Sequence, residues 1–144
     1  MPGIRAEHRY TMYYFAYASN LSLKQMAERC PDSKPKCRAM LPNYKVIFTG
    51  WSRMRGGGTA SLRLYQGGKI KGAIYEISPG CLRSLDKYED YPATYDRINV
   101  KVITEDDEFV EAITYIKPRQ SEETQPSQEY LAIKRQGYKD WRIA

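Results

Sequence analysis

The chain has 144 residues, 42% of them hydrophobic, with a formal net charge of +6. That length suits one domain with a core of its own. No apolar run approaches the roughly 20 residues a bilayer span needs, and Arg5 and Arg9 precede no signal-type apolar segment. A cytoplasmic protein is the expectation, with residues 1–9 a flexible extension ahead of one domain at 10–144.

Residues 10–17 are dense in Tyr, Phe and Met and predict a buried strand. Ser22 is an N-cap for a short helix over 23–29, with Pro31 beyond its end. A strand is expected within 37–50, centred on Lys45-Val46-Ile47-Phe48. Gly56-Gly57-Gly58 reads as a turn or close-approach loop. Thr59–Tyr65 and Lys69–Ile77 read as two strands joined by a hairpin at Gly67-Gly68. Ser78-Pro79 is a cap with a first-turn proline, predicting a helix to about Tyr88. Residues 94–104 and 109–116 form a second expected hairpin across Glu105-Asp106-Asp107. A polar loop follows over 117–126. Ser127 then caps a last helix to about Gln136, closed by Gly137. This order predicts an α+β fold: a small, largely antiparallel sheet, closing into a β-barrel, with short flanking helices.

The chemistry-bearing residue types are few. One histidine, His8, lies in the extension, so a histidine-based triad or histidine-ligated metal has little to build on. Three cysteines without a C-x-x-C pair argue against a disulfide scaffold or a structural zinc site. A local bridge between Cys30 and Cys37 is an option, but reduced thiols are the expectation. No metal and no cofactor are called for. From Ser33 to Tyr75 nine bases occur with no acid, leaving the rest of the chain net negative. Such a run could meet anionic substrates or nucleic acid. It carries no nucleic-acid motif, and a solvated surface is the preferred reading.

Two distant segments point to one chemistry. Tyr14-Phe15-Ala16-Tyr17-Ala18-Ser19-Asn20-Leu21 is an apolar strand running into a turn rich in backbone donors. Leu85-Asp86-Lys87-Tyr88-Glu89 places one carboxylate at the end of a short helix among tyrosines. Burial there would raise the pKa of Glu89 and suit it as a base. The turn would hold an anion at the start of the next helix.

These segments resemble the Y-F-A-Y-G-S-N-L and L-D-x-x-E-G signatures of the γ-glutamylcyclotransferase family. Trp51 with Gly57, Gly58 and Ala60 resembles that family's W-x-G-G-x-A-T. Tyr95 with Val100-Lys101-Val102, Tyr115, and Pro126-Ser127-Gln128-Glu129-Tyr130 resemble later segments in the same order. The resemblance implies an AIG2-like barrel fold. It also implies cyclisation of a γ-glutamyl group to 5-oxoproline with release of an amine or amino acid, as in glutathione metabolism. Glu89 would be the catalytic acid/base. Tyr17, Ala18, Ser19, Asn20, Leu21, Tyr95, Tyr115 and Tyr130 would line the substrate site. The expected partner is a small γ-glutamyl substrate, without membrane or nucleic acid, and a homodimer is compatible with the family's habits. A non-catalytic module binding a small anionic metabolite is the alternative.

Two positions depart from the signature, since Ala18 and Asp90 stand where the family has glycines. A positive φ at Ala18 would cost about 1 kcal/mol or more. Asp90 would either raise the pKa of Glu89 or face solvent.

Overall fold

The computed structural model describes residues 11–120 and 122–144. The expected extension over residues 1–9 and His8 lie outside the described residues. Five strands form a closed barrel in the order β1-β3-β2-β4-β5. They are β1 (Met12–Ala16), β2 (Lys34–Ser52), β3 (Gly57–Ile77), β4 (Asp96–Thr104) and β5 (Phe109–Ile116). Every pairing is antiparallel except β1 with β5, which closes the barrel in parallel at Tyr14 and Ile113. Among the described residues three helices flank it: α1 (Leu23–Arg29), α2 (Pro79–Tyr88) and α3 (Gln128–Asp140). A 3-10 turn at Ser19–Leu21 links β1 to α1.

The expected N-caps are all made. Ser22, Ser78 and Ser127 accept hydrogen bonds from the amides of Gln25, Cys81 and Tyr130. Each cap satisfies an amide that a helix start leaves without a partner. No described helix is long and apolar enough to cross a membrane.

Strand alternation divides the core in two. Phe15 and Tyr17 face one cluster with Leu41, Leu62, Ile74 and Val102, drawn from four further strand segments, which fills the barrel. Tyr14 and Ala16 face the other, with Met26, Leu85, Tyr75 and Tyr115, which seats the helices on the barrel wall.

Three expectations need correction. Residues 59–77 are not a hairpin of two strands but one strand, because 59–64 and 69–76 both pair with β2 rather than with each other. Four residues, 65–68, bulge opposite Asn43, whose Oδ1 accepts the Gly67 amide at 3.1 Å; both Asn43 and Gly67 have positive φ. The glycine pair that reads as a hairpin turn is thus a bulge in a long ribbon whose reversal comes at 53–56. The last helix runs on through Gly137 to Asp140. Gly137 is a contact residue, not a terminator: a Cβ there would overlap Leu21 and sit 2.7 Å from the Ser22 amide.

The cysteines are the third correction. Cys30, at the end of α1, is disulfide-bonded to Cys81, in the first turn of α2, and Cys37 is free. The partners are 51 residues apart in sequence, and their Cα atoms are 5.1 Å apart. Only the packing of α1 beside α2 brings them together, so local spacing is blind to the pair.

Candidate active site

A cleft of about 250 Å³ opens where β1 runs into the 19–21 turn and α2 ends. Of the expected residues its walls include Tyr17, Ser19, Asn20, Glu89, Tyr95, Tyr115 and Tyr130. Ala18 also lines it, and Leu21 does not. Leu21 is fully buried under the turn, its carbonyl accepting from Trp141 Nε1 at 2.9 Å.

Glu89 arrives there through the periodicity of α2. Cys81 and Leu85 are its buried residues, and Glu89 falls one helical step further along the same stripe. A carboxylate thus occupies a position where an apolar side chain would continue the core. Asp86 fastens the helix to the barrel. It accepts the Tyr115 hydroxyl at 2.6 Å and pairs with Arg97 at 3.4 Å. Glu89 itself is half-buried. Burial pushes its carboxyl up to about 7, against the opposing pull of Arg29, Arg55 and Lys117. None of these cations lies within ion-pair distance of it.

The donor turn is built from the end of β1. Its Leu21 amide closes on Ala18 O and the Ser22 amide on Ser19 O, both at 3.0 Å. The Ser19 and Asn20 amides, at the start of the turn, have no acceptor among the described residues. These are the N–H groups a helical start leaves for an anion. Ala18 has φ −137°, so its methyl group meets no left-handed backbone. The second departure is the one at positive φ: Asp90 has φ 53°, where glycine is favoured and aspartate tolerated. Its carboxylate is exposed and accepts the Thr94 hydroxyl at 2.7 Å. It is not among the groups that shift Glu89.

The polar side chains of the turn are already engaged. Asn20 Oδ1 accepts from Arg29 at 2.7 Å and from Gln25 at 3.1 Å, and its Nδ2 donates to the Tyr14 hydroxyl at 3.0 Å. Asn20 therefore holds the wall together. Arg55 reaches the same group, donating to Gln25 Oε1 at 2.9 Å and to Ser19 Oγ at 3.5 Å.

The tyrosines divide by what their hydroxyls do. Tyr17 donates to Tyr115 O and Tyr115 to Asp86. Tyr95 donates to Ala60 O, and Tyr130 accepts the Ala60 amide. Burial raises the pKa of each of these phenols, that of Tyr130 to about 12, so they stay protonated at neutral pH. They form a rigid aromatic wall rather than a set of acids and bases.

Sequence reasoning missed Arg29, Arg55, Lys117 and Tyr14, all of which line the cleft. Arg55 falls within the basic run and Lys117 within the polar loop, and nothing local sets either apart from a surface base. The stripe position of Glu89 was a legible signal. No group of three or more His, Cys, Asp or Glu side chains among the described residues is arranged to hold a metal ion. Chemically, the cleft offers a base of near-neutral pKa, two free amides and a cationic surround.

Comparison with known proteins adds independent findings. The family model described as "Gamma-glutamyl cyclotransferase, AIG2-like" matches residues 14–142. The gamma-glutamylcyclotransferase of Homo sapiens is 30% identical over 132 residues, covering 88% of this chain and 70% of that protein. The Mus musculus gamma-glutamylcyclotransferase is 27% identical over 135 residues, covering 90% and 71%. A solved structure titled gamma-glutamyl cyclotransferase superposes with a TM-score of 0.85 at 28% identity, over 90% of this chain and 79% of that one.

Proposed function

Since the chain belongs to the AIG2-like gamma-glutamyl cyclotransferase family, we propose that it cyclises a γ-glutamyl group to 5-oxoproline, with Glu89 as acid and base. The observation that carries this reading is a single half-buried carboxylate, raised to about 7, facing a turn with free amides.

The substrate carries its own nucleophile. Its α-amine attacks its γ-carbonyl carbon, the ring C–N bond forms, and the C–N bond to the leaving amine breaks. No water or enzyme nucleophile enters. The protein folds the chain so that amine and carbonyl meet, and such positioning can supply about 7–11 kcal/mol of a barrier. Glu89 takes the proton from the attacking amine and returns it to the leaving nitrogen. A positioned acid/base of this kind contributes about 10²- to 10⁴-fold. A pKa near 7 suits both steps, because the group gives and takes a proton without a large penalty either way.

The Ser19 and Asn20 amides suit the substrate's α-carboxylate or the oxyanion that develops at the γ-carbonyl. Arg29 and Arg55 add positive charge that stabilises either anion there. The aromatic wall of Tyr17, Tyr95, Tyr115 and Tyr130 keeps the glutamyl chain bent and the medium dry.

Incubation with γ-glutamyl dipeptides, γ-glutamyl amines and glutathione, followed by assay of 5-oxoproline, tests the reading. Glu89→Gln is expected to lower kcat at least 10²-fold while the variant still binds substrate. Full activity in Glu89→Gln would remove Glu89 from the mechanism. Binding without turnover in the unaltered protein would make it a metabolite-binding module.

A further inference from the structure

A second groove, of about 340 Å³, lies between α3 and the ribbon of β2 and β3. It shares no residue with the cleft around Glu89. Four of its side chains are lysines: Lys45 from β2, Lys69 and Lys71 from β3, and Lys134 from α3. Strand alternation explains the ribbon side. Lys69 and Lys71 leave the same face of β3, about 6.5–7 Å apart, while Ile70 between them joins the core that fills the barrel. On α3, Lys134 and Tyr138 are four residues apart and share a face of the helix. Ribbon and helix thus meet with cations on both sides of the groove.

No acid answers these charges. Among the described residues no acidic side chain lines the groove, and no carboxyl group lies within ion-pair distance of any of the four ammoniums. Other bases of the same ribbon differ, since Lys34, Lys36, Arg38 and Arg63 each have an acidic partner. Lys134 is the least comfortable of the four. It is half-buried, with its ammonium 5.3 Å from the centre of the Phe48 ring and 5.6 Å from that of Tyr138. Burial lowers its pKa, and no neighbouring acid pulls the other way. Ring faces offset the desolvation of an ammonium only in part. An anion entering the groove would supply the missing counter-charge.

We propose that this groove binds a small soluble molecule bearing two phosphate groups, held between Lys134 and the three lysines of the ribbon. Charge and size both select that class. Two phosphates together carry about −3 to −4 at pH 7, which matches four lysines in one groove. A single phosphate or carboxylate leaves two or more of the cations unanswered. The volume falls among small-ligand sites, at about 300–1,000 Å³. Ammoniums act as point charges on flexible stems, so they suit phosphates without demanding one planar approach. A bilayer surface fits less well, because Lys134 is recessed beside the rings of Phe48 and Tyr138. The site stands whether or not the cleft cyclises a γ-glutamyl group.

Calorimetry on the full chain at low ionic strength tests this, with inorganic pyrophosphate as the probe and inorganic phosphate and citrate as comparisons. Pyrophosphate is expected to bind at least about tenfold tighter than either, the scale of one charge-assisted hydrogen bond, and to weaken as salt is added. Lys134→Met keeps an unbranched stem against Phe48 and is expected to lower the affinity about tenfold. The double variant Lys69→Gln/Lys71→Gln should lose at least as much, and it carries the test if Lys134→Met fails to fold. Pyrophosphate should also raise the melting temperature of the unaltered protein, and raise that of either variant less. Lys101→Gln removes an exposed base outside the groove and should alter neither reading. Equal weakening in Lys101→Gln would leave net charge alone as the cause and overturn the site. Citrate binding as tightly as pyrophosphate, or no binding of pyrophosphate at millimolar concentration, overturns it too. So does capture by phosphatidylcholine vesicles carrying phosphatidylinositol bisphosphate without binding of the soluble probe, which would make the lysines a membrane contact.

Discussion

Glu89 is costly where it stands, and the cost has a pH signature. Its carboxyl titrates at about 7 in the fold, against 4.5 for the free group. Between those values the folded chain binds more protons than the unfolded one. Stability therefore falls as pH rises through that window, and the penalty is fully present above pH 7. Glu89→Gln removes it. The expected gain is ~1–3 kcal/mol at pH 8 and close to nothing at pH 4.5, read by urea unfolding at each pH. An equal gain at both would mean that the carboxylate's charge is not the source. Activity should show the opposite demand, with kcat/KM rising through about pH 7 as Glu89 becomes a base. A group that lowers stability where it raises activity is common at sites that do chemistry.

At the scale of elements, the helices hold the donor turn and Glu89 in register, and two contacts do most of that. Gly137 lets α3 lie directly on Leu21 and the Ser22 amide. Gly137→Ala inserts a methyl group where backbone and Cβ already touch. It is expected to cost about 1–3 kcal/mol and to raise KM by displacing the 19–21 turn, measured by thermal unfolding and steady-state kinetics. Wild-type KM in a destabilised variant would show that the turn holds its shape without α3. The Cys30–Cys81 bond joins the end of α1, next to Arg29, to the start of α2, which ends at Glu89. Closing a loop of this length contributes about 2–4 kcal/mol. Cys81→Ser should lower the unfolding midpoint accordingly, and dithiothreitol should lower that of the unaltered protein while leaving Cys81→Ser unmoved.

Across the whole molecule, the barrel scatters what looks continuous in sequence. The basic run from 33 to 75 lies along two long strands, and its members go to separate places. Lys34 and Lys36 pair with Glu76, Arg38 with Glu105, Arg63 with Glu123, and Arg55 turns into the cleft. Lys45, Lys69 and Lys71 remain together on one face beside Lys134. Four bases cannot make the long phosphate track that nucleic-acid binding uses. Association with a single-stranded oligonucleotide is expected to be undetectable at 150 mM salt, with a salt slope no steeper than about −3 at low salt. Micromolar affinity at physiological salt would restore the basic run as a functional surface.

How far the site can be read from the chain follows the range of the interactions. Helix caps at Ser22, Ser78 and Ser127, the alternation of β1 and the buried stripe Cys81-Leu85-Glu89 are all local, because each is set by residues within one or two turns. So the fold class, the donor turn and the one carboxylate of the helix end are legible in the linear sequence. The hairpin at Gly67-Gly68 misleads because a bulge and a turn use the same glycines, and only the partner strand decides between them. The disulfide, the seat of Leu21 beneath the turn, and the meeting of Arg29, Arg55 and Lys117 around Glu89 depend on contacts between residues tens of positions apart. Those contacts exist only once the barrel closes through β1 and β5. The sequence by itself determined where along α2 the carboxylate of Glu89 falls. The tertiary structure decided the charges that surround it, because electrostatic and packing energies depend on distance through space and not along the chain.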